Sequence, residues 1–138
     1  MTLSRRDAQK IAMSKLEDAL LLANNRRYST AYYLCGYAVE IGLKAAVAST
    51  IQAETIPAKG TIDRVFTHDF EKLVALSGLR SALSEARKSE RFEANWSAAS
   101  KWSPDSRYAI IDQVTAIGLI HAVSDPEDGV FKWLQKHW

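Results

Sequence analysis

The chain has 138 residues, 47% hydrophobic and 25% charged, with 18 Lys and Arg against 16 Asp and Glu for a formal net charge of +2. That is enough chain for one domain with its own core over residues 1–138, and the composition excludes a disordered chain. The small positive balance permits nucleic-acid binding without arguing for it, because phosphate affinity depends on locally clustered cations.

Only three prolines occur, and long stretches free of Pro and Gly predict an all-α protein. The expected architecture is a compact up-and-down bundle of about five helices plus a short C-terminal helix. A first helix starts near Ser4, a capping residue, and carries Ala8, Ile11, Ala12, Leu16, Ala19, Leu20 and Ala23 at helical spacing. Asn24-Asn25-Arg26-Arg27 is a polar break suited to a tight turn. The second helix, with Ser29 or Thr30 as cap, covers Tyr28 to Ala48 and is apolar on almost every face. Such a helix belongs in the middle of a bundle or in a membrane. Glu40, Lys44, Gly36 and Gly42 interrupt the run that a membrane span requires, so a bundle centre and no membrane partner are expected. The single cysteine, Cys35, cannot form an intramolecular disulfide and should be a buried free thiol. No disulfide framework, signal-peptide pattern or spanning segment is evident, which points to the cytoplasm.

Residues 52–67, with Pro57 and Gly60, read as an unusually long connection. A third helix is expected from His68 to Ser77, with Thr67 as N-cap, Asp69 and Glu71 in its first turn and Gly78 as its stop. Phe70, Leu73, Val74 and Leu76 would face inward. A fourth helical stretch begins near Ser81 and carries Leu83 and Ala86 before Phe92 and Trp96. A turn over 100–106, holding Trp102 and Pro104, leads to a fifth helix from Arg107 to Val123. Its apolar positions would be Ile110, Ile111, Val114, Ile117, Leu119 and Ile120. Asp125-Pro126-Glu127-Asp128 is a helix-start signal for a last short helix with Val130, Phe131, Trp133 and Leu134.

No Walker loop, dinucleotide Gly pattern, zinc-ligand array or HExxH motif occurs, so no metal or cofactor is implied. Cys35 with the dispersed His68, His121 and His137 gives no nucleophile–base pair. Glu40 and Lys44, one turn apart, suit either a simple ion pair or a polar strip lining a cleft between helices. A stripe facing a second subunit is a third option. His68 and Asp69 would cap and charge a helix start; functionally, a His there could contact phosphate or transfer a proton near neutral pH. Core packing and a surface Arg would account for Trp102 and Arg107-Tyr108. The alternative is an aromatic stacking surface beside a cation, as single-stranded nucleic acids favour. Arg80, Arg87, Lys88, Arg91 and Lys101 are diluted by Glu85, Glu90 and Glu93, as on a solvated helix face.

The run Arg27-Tyr28-Ser29-Thr30-Ala31-Tyr32-Tyr33-Leu34, continuing through Gly36-Tyr37-Ala38-Val39-Glu40 to Leu43-Lys44-Ala45, resembles the signature of the HEPN domain family. His68-Asp69-Phe70 with Leu73 is similar to that family's His-Asp-Leu helix start, and Trp102 with Arg107-Tyr108 to its Trp…Arg-Tyr element. The resemblance extends from about Asp7 to Leu134 and implies a helical bundle, commonly a homodimer. It also implies RNA or nucleotide binding, and pairing with a minimal nucleotidyltransferase in a toxin–antitoxin system. Ribonuclease members of the family use an Arg followed, after four to six residues, by a His. This sequence departs from that pattern: Arg64 and His68 are too close together, and Arg107 and His121 too far apart. The leading expectation is therefore an RNA- or nucleotide-binding module with Glu40, Lys44, His68, Asp69, Trp102, Arg107 and Tyr108 in one cleft. The rivals are a metal-independent endoribonuclease with a rearranged site of His68, Arg107 and Glu40, and a purely structural dimerisation module.

Overall fold

The computed structural model describes residues 3–138. Among them are α1 (Arg5–Asn24), α2 (Tyr28–Ala48), α3 (Lys59–Val65), α4 (Phe70–Leu76), α5 (Arg80–Ala86), α6 (Glu90–Ser100), α7 (Gln113–Ser124) and α8 (Val130–His137), with a 3-10 helix over Pro104–Tyr108 between α6 and α7. No strand occurs among the described residues. The fold is an all-α bundle, built from more and shorter helices than the sequence led us to expect.

Local hydrogen bonding accounts for most of the differences. The 52–67 connection contains α3, a helix none of whose residues is fully buried. The N-cap of α4 is Asp69 rather than Thr67: its carboxylate accepts the Lys72 N–H at 3.1 Å, while Thr67 Oγ1 accepts the Asp69 N–H at 3.2 Å. The fourth stretch splits at Ser89, whose hydroxyl accepts the Phe92 N–H and starts α6. Pro104 opens the 3-10 helix, and Asp112 caps α7 by accepting the Thr115 N–H at 2.7 Å, so the helix begins well after Arg107. Ile110, expected in the core, precedes the helix and is 98% exposed, and Val114, also expected there, lies in its first turn and is 82% exposed. Asp125 closes a turn on the Glu127 and Asp128 N–H groups, leaving Gly129 as the cap of α8.

Helix α2 is the axle. It packs against α1, α4, α7, α8 and the 3-10 helix, and thirteen of its twenty-one residues are buried. Helix α1 lies along it through Ala8, Ala12, Ala19 and Ala23, small side chains that allow close approach of two helix axes. Ile11 and Leu20, expected to face inward with them, are partly exposed. The tight α1–α2 turn ends with Arg26 in the left-handed region (φ 62°) and the Arg27 N–H bonded to the Leu22 carbonyl at 2.8 Å. Neither Ser29 nor Thr30 caps α2; Arg27 occupies that position without a side-chain bond, and Ser29 Oγ instead accepts the Ile111 N–H at 2.9 Å. Gly78, at φ 75°, ends α4 as expected, with the Leu79 N–H reaching back to the Val74 carbonyl.

Two glycines of α2 are sites of close approach. A side chain on Gly36 would collide with the indole ring of Trp102, and one on Gly42 would press on Leu134 and Trp138 of the C-terminal segment. From that seat an aromatic series crosses the core. Trp102 stacks on Phe70 at 5.7 Å, Phe70 meets Trp96 at 6.4 Å, and Trp96 meets Trp133 at 6.0 Å. Trp96, Trp102 and Trp133 are buried and Trp138 is half-buried. No helix among the described residues is long and apolar enough to cross a membrane.

Because Leu43 is fully buried whereas Leu34 is partly exposed, Leu43→Ala should cost about 2–5 kcal/mol in denaturant unfolding and Leu34→Ala less. Gly36→Ala should cost about 1–3 kcal/mol by overpacking against Trp102. Equal stabilities for the wild type and the Leu43 and Gly36 variants would contradict this packing.

Candidate functional site

Tyr33, Tyr37, Glu40 and Lys44 recur at the spacing that places side chains on one face of a helix. These four residues form one stripe of α2. Glu40 is its centre, a carboxylate with a side chain only 3% exposed. A buried charge is costly unless compensated, and here each oxygen has its own partner. Lys44 Nζ donates to Oε2 at 3.3 Å from the next turn, and His68 Nδ1 lies 2.7 Å from Oε1. Where Oε1 accepts, the His68 ring is the form that carries a proton on Nδ1.

His68 is placed by the turn between α3 and α4. Thr67 braces the chain before it and Asp69 caps the helix after it, so the imidazole is carried on a short rigid link. Asp69 is adjacent in sequence, but its carboxylate is engaged by the α4 cap.

The second group lies at the N-terminal end of the same stripe. Tyr33 stacks on Tyr37 at 5.8 Å and 11°, and its other neighbour is the buried Trp102 at 6.1 Å. Arg107 and Tyr108 end the 3-10 helix that Ser103 and Pro104 begin. The Arg107 guanidinium carbon lies 5.0 Å from the Tyr108 ring centre, and the Tyr108 ring is 79% exposed. Tyr108, by charge and by hydrogen bond, holds the Arg107 proton more tightly than usual, with a smaller contribution from Tyr33. Arg107 also lines a cavity of about 90 Å³ with Ser29, Thr30, Tyr33, Ser106 and Ala109. That cavity opens onto the first turn of α2, which has no side-chain cap.

Of the seven residues singled out in the sequence, Glu40, Lys44 and His68 touch directly and Arg107 and Tyr108 form a pair. Trp102 belongs to the core beneath both groups. Tyr33 anchors the Arg107 end of the stripe and Glu40 the His68 end. Seven residues of helix separate them, about 10 Å along the axis at the usual rise. Tyr33 and Tyr37 join the two groups, and counting back from Glu40 by helical spacing would have found them. Burial, then the nearby Glu40 charge, then Tyr33 push the Tyr37 phenol above its usual range.

Cys35 takes no part in this surface. Its thiol is pushed up strongly by burial, and its sulfur lies 4.0 Å from the Leu119 carbonyl oxygen. Among the described residues no three His, Cys, Asp or Glu side chains gather in a way that could hold a metal ion. Comparison with protein-family models, with curated proteins and with solved structures finds no match to this chain.

The contact between His68 and Glu40 can be measured directly. In a double-mutant cycle with Glu40→Ala and His68→Ala, unfolding free energies should show a coupling of about 0.5–3 kcal/mol. Additive effects would mean that the two side chains do not interact in solution.

Proposed function

We propose that this chain is a cytoplasmic HEPN-type helical module that binds RNA or a nucleotide along the Tyr33–Lys44 stripe of α2. The observation that supports this most directly is the exposed Arg107–Tyr108 pair beside the uncapped first turn of α2. A guanidinium and free helix-start amides suit a phosphate, and an exposed tyrosine next to a cation suits an unstacked base. The half-buried Tyr33–Tyr37 stack continues that platform toward His68. As the family resemblance implies, the module would work with a minimal nucleotidyltransferase in a toxin–antitoxin-like pair.

Cleavage is the less favoured reading. Arg and His would have to converge on one scissile phosphate. Here Arg107 meets α2 at Tyr33 and His68 meets it at Glu40, about two helical turns further on. Binding needs no such convergence, since an extended strand can touch both ends of a stripe.

Arg107→Ala should weaken binding of a short single-stranded RNA more than Arg87→Ala, whose guanidinium is already paired with Glu93. Wild-type affinity should fall as salt is raised, because phosphate contacts release counterions. Fluorescence anisotropy on both variants checks this; equal losses would replace a defined site with a diffuse electrostatic one.

A homodimer forms part of the same reading, and one surface supports it. Ile110 and Val114 are both strongly exposed within a short stretch that ends in the first turn of α7, and exposed apolar patches mark interaction surfaces. Ile110→Glu with Val114→Glu should shift the mass from light scattering from dimer to monomer without loss of helicity. A monomeric wild type across a wide concentration range would remove this patch from consideration as a self-interface.

A further inference from the structure

Away from the α2 stripe, a cavity of about 680 Å³ lies over the outer side of α4, between the end of α3 and the start of α5. Its size falls within the usual range for small-molecule sites. Three cations line it: Arg64 from α3, Lys72 from α4 and Arg80 from α5. None of them is in an ion pair with a described residue, whose ion pairs involve Lys44, His68, Arg87, Lys88 and Arg91. A solitary unpaired cation on a protein surface is ordinary. Three from separate elements line this concavity against two acids, Asp69 and Glu71, which leaves the lining one positive charge in excess.

Both acids of the lining already accept hydrogen bonds from the protein. Asp69 accepts the Lys72 backbone N–H as the α4 cap. Glu71 accepts the indole N–H of Trp96 at 3.1 Å and lies 3.7 Å from Arg87. The remaining lining, Ala75 and Leu76, is apolar. The cavity thus offers two guanidinium groups, an ammonium and an apolar patch, beside the carboxylates of Asp69 and Glu71. A carboxylate brings one negative charge, whereas a phosphate ester brings about 1.5 to 2 at neutral pH together with oxygens that match guanidinium forks.

We propose that this cavity binds a small organic phosphate, its phosphoryl group held by Arg64, Lys72 and Arg80 and its carbon portion resting on Ala75 and Leu76. The site is separate from the Arg107–Tyr108 surface and does not depend on RNA binding there.

The test is an amide NMR titration of the whole chain with phenyl phosphate, inorganic phosphate, benzoate and phenol. Phenyl phosphate should give saturable shifts centred on Lys72, Ala75, Leu76 and Arg80. Benzoate and inorganic phosphate should bind more weakly, and phenol should not register. Lys72→Ala and Arg80→Ala should each weaken phenyl phosphate binding by about tenfold, the scale expected for a lost charge-assisted contact. Arg91→Ala, whose partner is Asp125, should bind as the wild type does. All these positions are exposed, and a retained dispersed spectrum verifies that each variant is folded. Several results would overturn the assignment. They are shifts centred on Tyr33 and Arg107, unsaturable shifts scattered over surface cations, undiminished affinity in the Lys72 and Arg80 variants, and inorganic phosphate binding as tightly as its phenyl ester.

Discussion

Trp102 lies across Gly36, and much of the bundle is arranged around that contact. An indole can lie flat on a helix only where the helix has no side chain, so the glycine sets how closely the segment after α6 approaches α2. From this seat the ring reaches Phe70 on one side and Tyr33 on the other. One side chain thus ties the 3-10 segment, the start of α4 and the central helix together. The aromatic series beyond it, through Trp96 to Trp133, carries the packing to α6 and α8. Rings in such contacts add to stability beyond the area they bury, typically by about 0.5–1.5 kcal/mol per pair.

The same contact positions the polar surface. Trp102 supports Tyr33 from beneath, and Tyr33 meets Arg107 at the 90 Å³ cavity. Phe70, against the other side of Trp102, begins the helix that His68 and Asp69 precede. Both the Arg107 pair and the His68–Glu40 contact are therefore mounted against packed core. Such mounting limits the entropy lost when surface side chains are ordered by a ligand. Glu40 differs in kind, being a buried charge whose two oxygens are both occupied. Its role on this arrangement is to fix Lys44 and His68, with the outer side of the imidazole left available.

Much of the fold was legible in the chain. The apolar faces of Tyr28 to Ala48 placed that helix at the bundle centre, Gly78 marked the end of α4, and the residues at Val130, Phe131, Trp133 and Leu134 marked α8. The pair Glu40 and Lys44 was visible as an i,i+4 spacing. What escaped was the set of short helices and their caps. Thr67 and Asp69 are both good capping residues two positions apart, and only the backbone path through His68 selects Asp69. Ile110 and Val114 keep helical spacing with later core residues, yet the Asp112 cap leaves Ile110 before α7 and Val114 in its exposed first turn.

The sequence by itself determined the helical class, the centrality of α2 and the need for Glu40 to find compensation, because periodicity, composition and the cost of a buried charge are properties of the local chain. Only the tertiary structure decided that His68, twenty-eight residues away, supplies that compensation. It alone placed Trp102 over Gly36, and it alone gathered Arg64, Lys72 and Arg80 around one cavity. Each of those contacts joins elements distant in sequence. Their geometry is set by how helices pack, which side-chain spacing along a single helix does not encode.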